Sequence, residues 1–552
     1  MVAGLDRRIG ILFLTFVVLL AVAGARAAYF GAVRGPSLQR VAASQQVSIQ
    51  TVPAPRGTIT DRNGVQLAVS EPADDVVADP YLIRDPVNTG RLIAPLLGVP
   101  ADQVIAKLAS SHTGFVYVAR ELPDDQAQRI ASLGLDGFTL IPRMLRTYPQ
   151  DWLASQLLGT VGEDGTGLSG LEWSQNGVLA GQDGVRRVVK DALGQAISIR
   201  DVHVTRPGRN IALTIDANIQ SKTEQVLQQI GTTYRPKRAS AIVMDPRSGE
   251  ILALANWPLV NANDIGGAPI ADQQDFAAID SYEPGSTFKS ITVAGALEAG
   301  LVTPQTSFDL PDSIQVADRL IHDAELRPDE TLTTAQILAQ SDNVGAITIG
   351  LREGAPAFSS WVSRFGFGRP TGSDVPGEAS GIVPGLSQYS GSSMGNLPIG
   401  QGISVTPLQM ITAYDAIANG GVMRVPHVIA SIGGHRVAPA PGRRVISPQT
   451  ALSLRTMLEG VLAPGGTASQ VSVPGYQLAG KTGTANVAVN GGYSQTEYVS
   501  SFVGMAPARD PHLIALVVVD EPRGDIYGGT VAAPAFGQIA AFALPYLRIA
   551  PG

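Results

Sequence analysis

Apolar residues fall into three patterns along this chain. The first is a run of 17 residues without a charge, from Ile9 to Ala25 (IGILFLTFVVLLAVAGA). As a helix it would measure about 26 Å, close to the ~30 Å hydrocarbon thickness of a bilayer. A cleaved signal peptide has the same look, because Arg7 and Arg8 precede the run and Ala25-Arg26-Ala27 has small-x-small form. The continuation through Ala27, Ala28, Tyr29 and Phe30 adds span and an interfacial aromatic, which favours an uncleaved anchor over residues 9–30. Arginines stand on both sides, Arg7 and Arg8 before and Arg26, Arg34 and Arg40 after, so charge alone leaves the orientation open.

The second pattern, over residues 31–210, mixes short amphipathic stretches with extended, proline-punctuated segments such as TVPAPRGTITDRNG, in which Asp61-Arg62-Asn63-Gly64 has turn chemistry. It predicts an elongated α+β module acting as a spacer or docking body rather than a second catalytic centre. The turn-rich VTRPGRN closes it, and ALTID begins a strand of a second domain over 211–552. There the pattern changes again. AIVMD and EILALAN alternate as two strands joined by a Pro-x-x-Gly turn, and TEYVSSFVGMAPA, HLIALVVVDEP and the segment around Lys481 add further strands. Between them STFKSITVAGALEAG, TLTTAQILAQ, NVGAITIGL and TPLQMITAYDAIANGG carry helical spacing and end near a glycine or a turn. Strands at both ends with helices between predict an α+β fold with one central antiparallel sheet, closed by distant segments and flanked by helices. No internal repeat is evident.

Composition narrows the function classes. At 552 residues, 44% apolar and 16% charged, the chain suits packed domains. A net charge of −7 with only six lysines, scattered, leaves no basic footprint for nucleic acid. The absence of cysteine removes disulfides, thiolate metal sites and a cysteine nucleophile, and the six histidines form no ligand spacing. No metal or other cofactor is expected.

One of the six lysines stands in DSYEPGSTFKS, residues 280–290. Pro284 and Gly285 punctuate the chain, and Phe288, Ile291, Ala294 and Leu297 predict a helix beginning near Ser286. A serine there meets free backbone N–H groups and the positive end of the helix dipole, which favour developing negative charge. Residues i and i+3 share a helix face, so Lys289 can bring its amine to the Ser286 hydroxyl. An arginine would stay protonated, whereas a buried ammonium can lose its proton and act as a base. By itself the pair is an ordinary capped helix with a solvated lysine. Ser341-Asp342-Asn343 follows 55 residues on and Lys481-Thr482-Gly483-Thr484 a further 140, and the ordered triple is the signature of penicillin-binding proteins and class A β-lactamases.

Beyond the triple, PRGTITDRNG (55–64), RTYPQDWLASQLLGTVGEDGTGLSGLE (146–172), AIVMDPRSGEILALAN, YEPGSTFK, IGQGISVTPLQM and YGGTVAAPAF make the chain resemble a class B penicillin-binding protein over almost its whole length. The resemblance implies a short cytoplasmic tail (1–8), a transmembrane helix (9–30), a pedestal of the dimerisation type (31–210) and a transpeptidase domain (211–552). It implies a serine D,D-transpeptidase of peptidoglycan synthesis, and a β-lactam target. Ser286 would be the nucleophile, Lys289 its base, Ser341 and Lys481 a proton relay, and Asn343 would orient Lys289 and bind the donor amide. Thr482 and Thr484, with Gly483 allowing close approach on an edge strand, would hold the terminal carboxylate. Backbone N–H groups of Ser286 and Thr484 would form the oxyanion hole. The implied partners are stem peptides (a D-Ala-D-Ala donor and an amine acceptor), the cytoplasmic membrane, a SEDS-family glycosyltransferase and other divisome membrane proteins. The body would lie outside the cytoplasmic membrane, N-terminus inside. YEPGSTFK and DEPRGDIYGGTVAAPAF favour a division role over elongation. A D,D-carboxypeptidase or β-lactamase-like hydrolase would need a positioned hydrolytic base, and no Glu-x-x-Leu-Asn element lies between Ser341 and Lys481; a silent scaffold is at odds with intact motifs. Gly391-Ser392-Ser393-Met394-Gly395 matches a nucleophile elbow, but GIVPGLSQYS before it reads as loop and NLPIGQG after it starts a helix poorly, so a loop of the cleft is expected.

Overall fold

A computed structural model describes residues 2–34, 47–110, 112–190, 196–325, 327–489 and 492–551. Residues 1 and 35–46, assigned above to the tail and to the start of the pedestal, lie outside them. The apolar run forms an α-helix, Val2–Tyr29, continued by a π-helical turn, Phe30–Arg34. It is long and apolar enough to cross a membrane, and its side chains from Arg7 onward are exposed.

By packing, the chain gathers into two units. The smaller unit comprises Met1–Pro55, Pro72–Leu145 and Gly181–Pro207. In it Gly184–Lys190 pairs antiparallel with Val47–Val52 on one side and Ala196–His203 on the other. Helices Pro86–Leu97, Ala101–Leu108 and Asp124–Ser132 bury Ile93, Val104, Leu108 and Ile130 with Val76 and Val118 of neighbouring strands. The first of these helices starts where Asp85 caps Asn88 N at 3.0 Å with a proline following, the favoured arrangement for a helix start.

The larger unit comprises Arg56–Glu71, Arg146–Ala180 and Gly208–Gly552. Charge holds the two early segments there. Glu172, fully buried, accepts Arg56 on Oε2 at 2.7 Å and Arg146 on Oε1 at 2.6 Å. Asp61 forms the expected turn, accepting from Asn63 N and Val65 N at 2.7 and 2.8 Å, and its second oxygen takes Ala217 N at the start of helix Ala217–Tyr234.

The centre of this unit is a five-stranded antiparallel sheet. The hairpin Arg238–Asp245/Glu250–Trp257 lies at one side, then Leu513–Asp520, Gly492–Ala506 and, at the edge, Ala479–Val489. Distant segments therefore close one sheet, as the strand patterns predict. The strand period of two separates the faces. Phe502 and Gly504 turn toward Phe536 of helix Ala533–Tyr546, whereas Ser501 turns toward Gly483 and Pro284. The four predicted helices are present as Lys289–Glu298, Thr334–Gln340, Asn343–Glu353 and Pro407–Ala418. Helices Ala217–Tyr234, Ala355–Arg364, Pro448–Glu459 and Ala533–Tyr546 add to the packing.

Replacing Glu172 by alanine strands two buried guanidinium groups, and the loss of an ion partner in such a setting costs about 3–5 kcal/mol. Chemical denaturation of E172A against the parent should show a loss of that order; a loss below about 1 kcal/mol would mean that the early segments are held by packing alone.

Candidate active site

The helix expected at Ser286 starts later than the sequence suggests. Gly285–Phe288 is a 3-10 turn, and the α-helix begins at Lys289. With three residues per turn, positions i and i+3 of a 3-10 turn eclipse, which stacks Lys289 over Ser286 more directly than an α-helix would. Gly285 adopts φ 53°, a left-handed conformation that favours glycine, and a Cβ there would meet the Thr484 carbonyl and Ala485 Cβ at 3.1 Å. On the other side a Cβ on Gly483 would meet the Pro284 carbonyl at 2.9 Å. The turn is thus pressed against the edge strand. Tyr414 Oη, fully buried in helix Pro407–Ala418, donates to the Thr287 carbonyl at 2.7 Å, and Gly285 N donates to Gly400 O at 3.1 Å. Ser286 itself is half-buried, and its Oγ makes no hydrogen bond among the described residues.

Two lysines converge beside it. Lys289 and Lys481 are both 0% exposed, and their amines meet at one hydroxyl. Lys289 Nζ donates to Ser341 O at 2.5 Å and Asn343 Oδ1 at 2.7 Å, with Ser341 Oγ at 3.4 Å; Lys481 Nζ donates to Ser341 Oγ at 2.8 Å. The amine of Lys289 is thus directed toward the Ser-Asp-Asn segment instead of toward Ser286. Burial lowers the Lys289 ammonium to about 8 against the opposing charges of Asp323 and Asp342. Lys481 is held well below the ordinary lysine range, by burial first and then by the charge of Lys289. Two buried amines that meet at one hydroxyl disfavour each other's charged form.

Ser341 is held in the left-handed region, φ 64°, as the C-cap of helix Thr334–Gln340, a conformation that costs a non-glycine residue about 1–3 kcal/mol. Asp342 compensates by capping the next helix, accepting from Gly345 N at 2.5 Å. Asn343 Nδ2 donates to His322 O at 3.0 Å, which fixes its Oδ1 toward Lys289. Beneath lie groups that carry no motif. Asp323 accepts from Asn343 N, and Arg327 bridges Asp323 at 3.0 Å, Asp342 at 2.8 Å and Glu330 at 3.0 Å. Burial, with Asp323 adding to it, pushes the Asp342 carboxyl up to about 6. No local pattern marks these two, since Asp323 and Arg327 lie in an irregular connection after the strand Arg319–His322.

Ala479–Val489 is an edge strand, as its glycines suggest. The glycines, however, make room for the protein's own parts: Gly480 for Phe502 and Gly483 for Ser501 and the serine turn. Lys481 and Gly483 face the serine turn, whereas the hydroxyls of Thr482 and Thr484 lie toward Thr467 and Gly528. Thr482 Oγ1 is 2.7 Å from Thr467 Oγ1, a partner that no motif announced, and Thr484 Oγ1 accepts from Gly528 N at 3.0 Å. The elbow-like Gly391–Gly395 has no strand before it; Ser393 opens a single short helical turn, Ser393–Asn396, and its Oγ accepts from Ser390 N. Among the described residues no group of three metal-ligating side chains forms.

A half-buried serine pressed against an edge strand, beside two buried lysines that share a second serine, has the groups that acyl transfer by a serine requires. Residues 239–541 match the penicillin binding protein transpeptidase domain family, and residues 51–213 the penicillin-binding protein dimerisation domain family. The peptidoglycan D,D-transpeptidase FtsI of Escherichia coli is 33% identical over 515 residues, covering 92% of this chain and 86% of the relative. The stage V sporulation protein D of Bacillus subtilis is 32% identical over 560 residues, covering 99% and 86%. Penicillin binding protein 3 of Mycobacterium tuberculosis, solved with aztreonam, superposes with a TM-score of 0.70 at 30% identity over 91% of this chain and 98% of that one. The chain belongs to the class B penicillin-binding proteins and is a peptidoglycan D,D-transpeptidase.

Asp323→Asn keeps an acceptor for Asn343 N and removes one of the two charges that support the Lys289 ammonium. With only six lysines in the chain, a side-chain-labelled NMR titration can follow this amine. Its pKa should fall below the parent's; an unchanged or higher value would remove Asp323 from the control of Lys289.

Proposed function

We propose that Ser286 is the acylated nucleophile and that the surrounding groups act as a proton circuit. Ser286 Oγ attacks the carbonyl between the last two D-alanines of a donor stem peptide, and its proton passes to neutral Lys289. The backbone N–H groups of Ser286 and Thr484 receive the oxyanion. As the carbon–nitrogen bond breaks, Ser341, hydrogen-bonded to Lys481, relays a proton to the departing D-alanine. An amine of a neighbouring stem peptide then attacks the ester, the carbon–oxygen bond breaks, and the proton returns to Ser286. The donor chain extends along the edge strand Ala479–Val489, its amide met by Asn343 and its carboxylate by the hydroxyls of Thr482 and Thr484. The observation that carries this reading is the meeting of two fully buried lysines at the hydroxyl of Ser341.

The same reading extends to the cell. Residues 1–8 lie in the cytoplasm, residues 9–30 span the membrane, residues 31–210 form the pedestal, and the transpeptidase domain over 211–552 works on the outer side, where its substrate is. A class B enzyme does not polymerise glycan, so a SEDS-family glycosyltransferase is the partner, with other divisome membrane proteins beside it. A septal role follows from the likeness of YEPGSTFK and DEPRGDIYGGTVAAPAF to division-type enzymes. Tagged protein should gather at the septum; even labelling of the side wall would assign it to elongation.

β-Lactams resemble the donor terminus, and the complex of penicillin binding protein 3 with aztreonam supports their acylating Ser286 here. Ser286→Ala should abolish covalent labelling, and persistent labelling would remove the nucleophile from the scheme. Because the base must be neutral, acylation should rise about tenfold per pH unit below about 8 and level off above it. Lys289→Arg keeps the charge without a usable base and should slow acylation by about 10²-fold or more; near-normal rates would rule out proton abstraction by Lys289. With a pentapeptide donor and an added amine, cross-linked dimer is the expected product. D-alanine release without dimer would indicate a hydrolase, and neither product a scaffold.

A further inference from the structure

Helix Ala217–Tyr234 carries a feature that cross-linking does not require. Asn218, Ser221, Gln225 and Gln228 recur at helical spacing, so uncharged polar side chains line one stripe of it. This stripe forms one wall of a cavity of about 820 Å³, within the range of about 300–1,000 Å³ typical of small-ligand sites. The rest of the lining is largely aromatic and aliphatic: Trp152 is half-exposed, Trp257 rests on the helix at Gly231, and Leu153 and Leu259 join them. Neither Gln150 nor Gln228 makes a side-chain hydrogen bond among the described residues. At the back lies Glu224, only 7% exposed. Its Oε1 accepts from Ala154 N at 2.7 Å and Gln220 Nε2 at 2.8 Å, while Oε2 makes no hydrogen bond among the described residues and the residue lines the cavity.

Flat apolar faces beside amides that both donate and accept suit a ligand that is apolar on its ring faces and hydroxylated on its edges. Burial pushes the Glu224 carboxyl up to about 7, and among the described residues it is the only ionisable side chain of the lining, so the wall carries at most a single negative charge. We infer that this cavity binds a stretch of glycan chain, with Trp152 and Trp257 stacking on sugar rings and Glu224 Oε2 accepting a sugar hydroxyl. The choice of glycan rests on the chain's activity on peptidoglycan, whose strands are amino-sugar polymers, and not on the roles proposed for Ser286 and its neighbours. Holding the strand raises the effective concentration of the stem peptides attached to it, so successive cross-links are made without full release.

The test uses the full chain in lipid nanodiscs and peptide-free oligomers of β-1,4-linked N-acetylated amino sugars, followed by tryptophan fluorescence. Saturable binding is expected, unchanged in Ser286→Ala and weakened about tenfold in Trp152→Ala, the scale of one lost stacking contact. Gln225→Ala combined with Gln228→Ala should weaken it as well, and β-lactam acylation of both groove variants should match the parent, which shows that they fold. The inference is overturned if peptide-free glycan gives no saturable response, or if Trp152→Ala binds as the parent does. It is likewise overturned if a cationic sugar such as glucosamine binds and N-acetylated oligomers do not, since two indoles and a carboxylate would then be an ammonium cage.

Discussion

Two fully buried amines share the hydroxyl of half-buried Ser341, and most of the catalytic domain can be understood as what makes that arrangement tolerable. An ammonium taken from water into a packed interior is costly, and a second one at the same place is more so. The charged forms are therefore disfavoured and the neutral forms become accessible, which is the state a base requires. The acidic layer beneath works in the opposite sense: Asp323 and Asp342, tied by Arg327, stop the Lys289 amine from falling further. Burial and countercharge together bring it to about 8. Neither alone would leave a group that both accepts and returns a proton near neutral pH.

Such a site has little freedom to shift, and the surrounding packing is correspondingly close. The serine turn reaches the edge strand only because Gly285 and Gly483 have no side chains to intervene, and Tyr414 ties the same turn to the helix beneath it. Gly528 also approaches Gly483 and donates to Thr484 Oγ1. The edge strand is thus held close at Gly483 and Thr484 while, among the described residues, its outer edge pairs with no strand, and an unpaired edge is the natural template for an extended peptide. The strain stored at Ser341 belongs to the same economy: a left-handed residue between two helices aims both its carbonyl and its hydroxyl at the lysines.

Much of this was legible in the residues because it is periodic or local. The strands flanking Pro246-Arg247-Ser248-Gly249, the amphipathic helices and the apolar anchor declare themselves through spacing alone, and the Asp61 turn through its side-chain chemistry. The ordered motif triple marked Ser286, Lys289, Ser341, Asn343 and Lys481, all of which fold into one region. Less legible was the direction of each bond. The i,i+3 spacing brought Lys289 toward Ser286, yet its amine is engaged by Ser341 and Asn343, because acceptors 52 and 54 residues away outcompete a neighbour on the same turn.

Residue spacing and side-chain chemistry sufficed for the main helices and strands, for one antiparallel sheet built from distant segments, and for the motif residues that gather at Ser341, since each is written in a short stretch of chain. Tertiary structure alone decided which acids face which lysines, that Thr467 and Gly528 take the hydroxyls of Thr482 and Thr484, and that residues 56–71 and 146–180 pack in the larger unit. It also decided that a polar stripe of helix Ala217–Tyr234 lines one cavity together with Trp152 and Trp257. The reason is physical: a pKa, a cavity and a unit boundary all depend on what packs against a residue from far along the chain, and no local pattern records that contact.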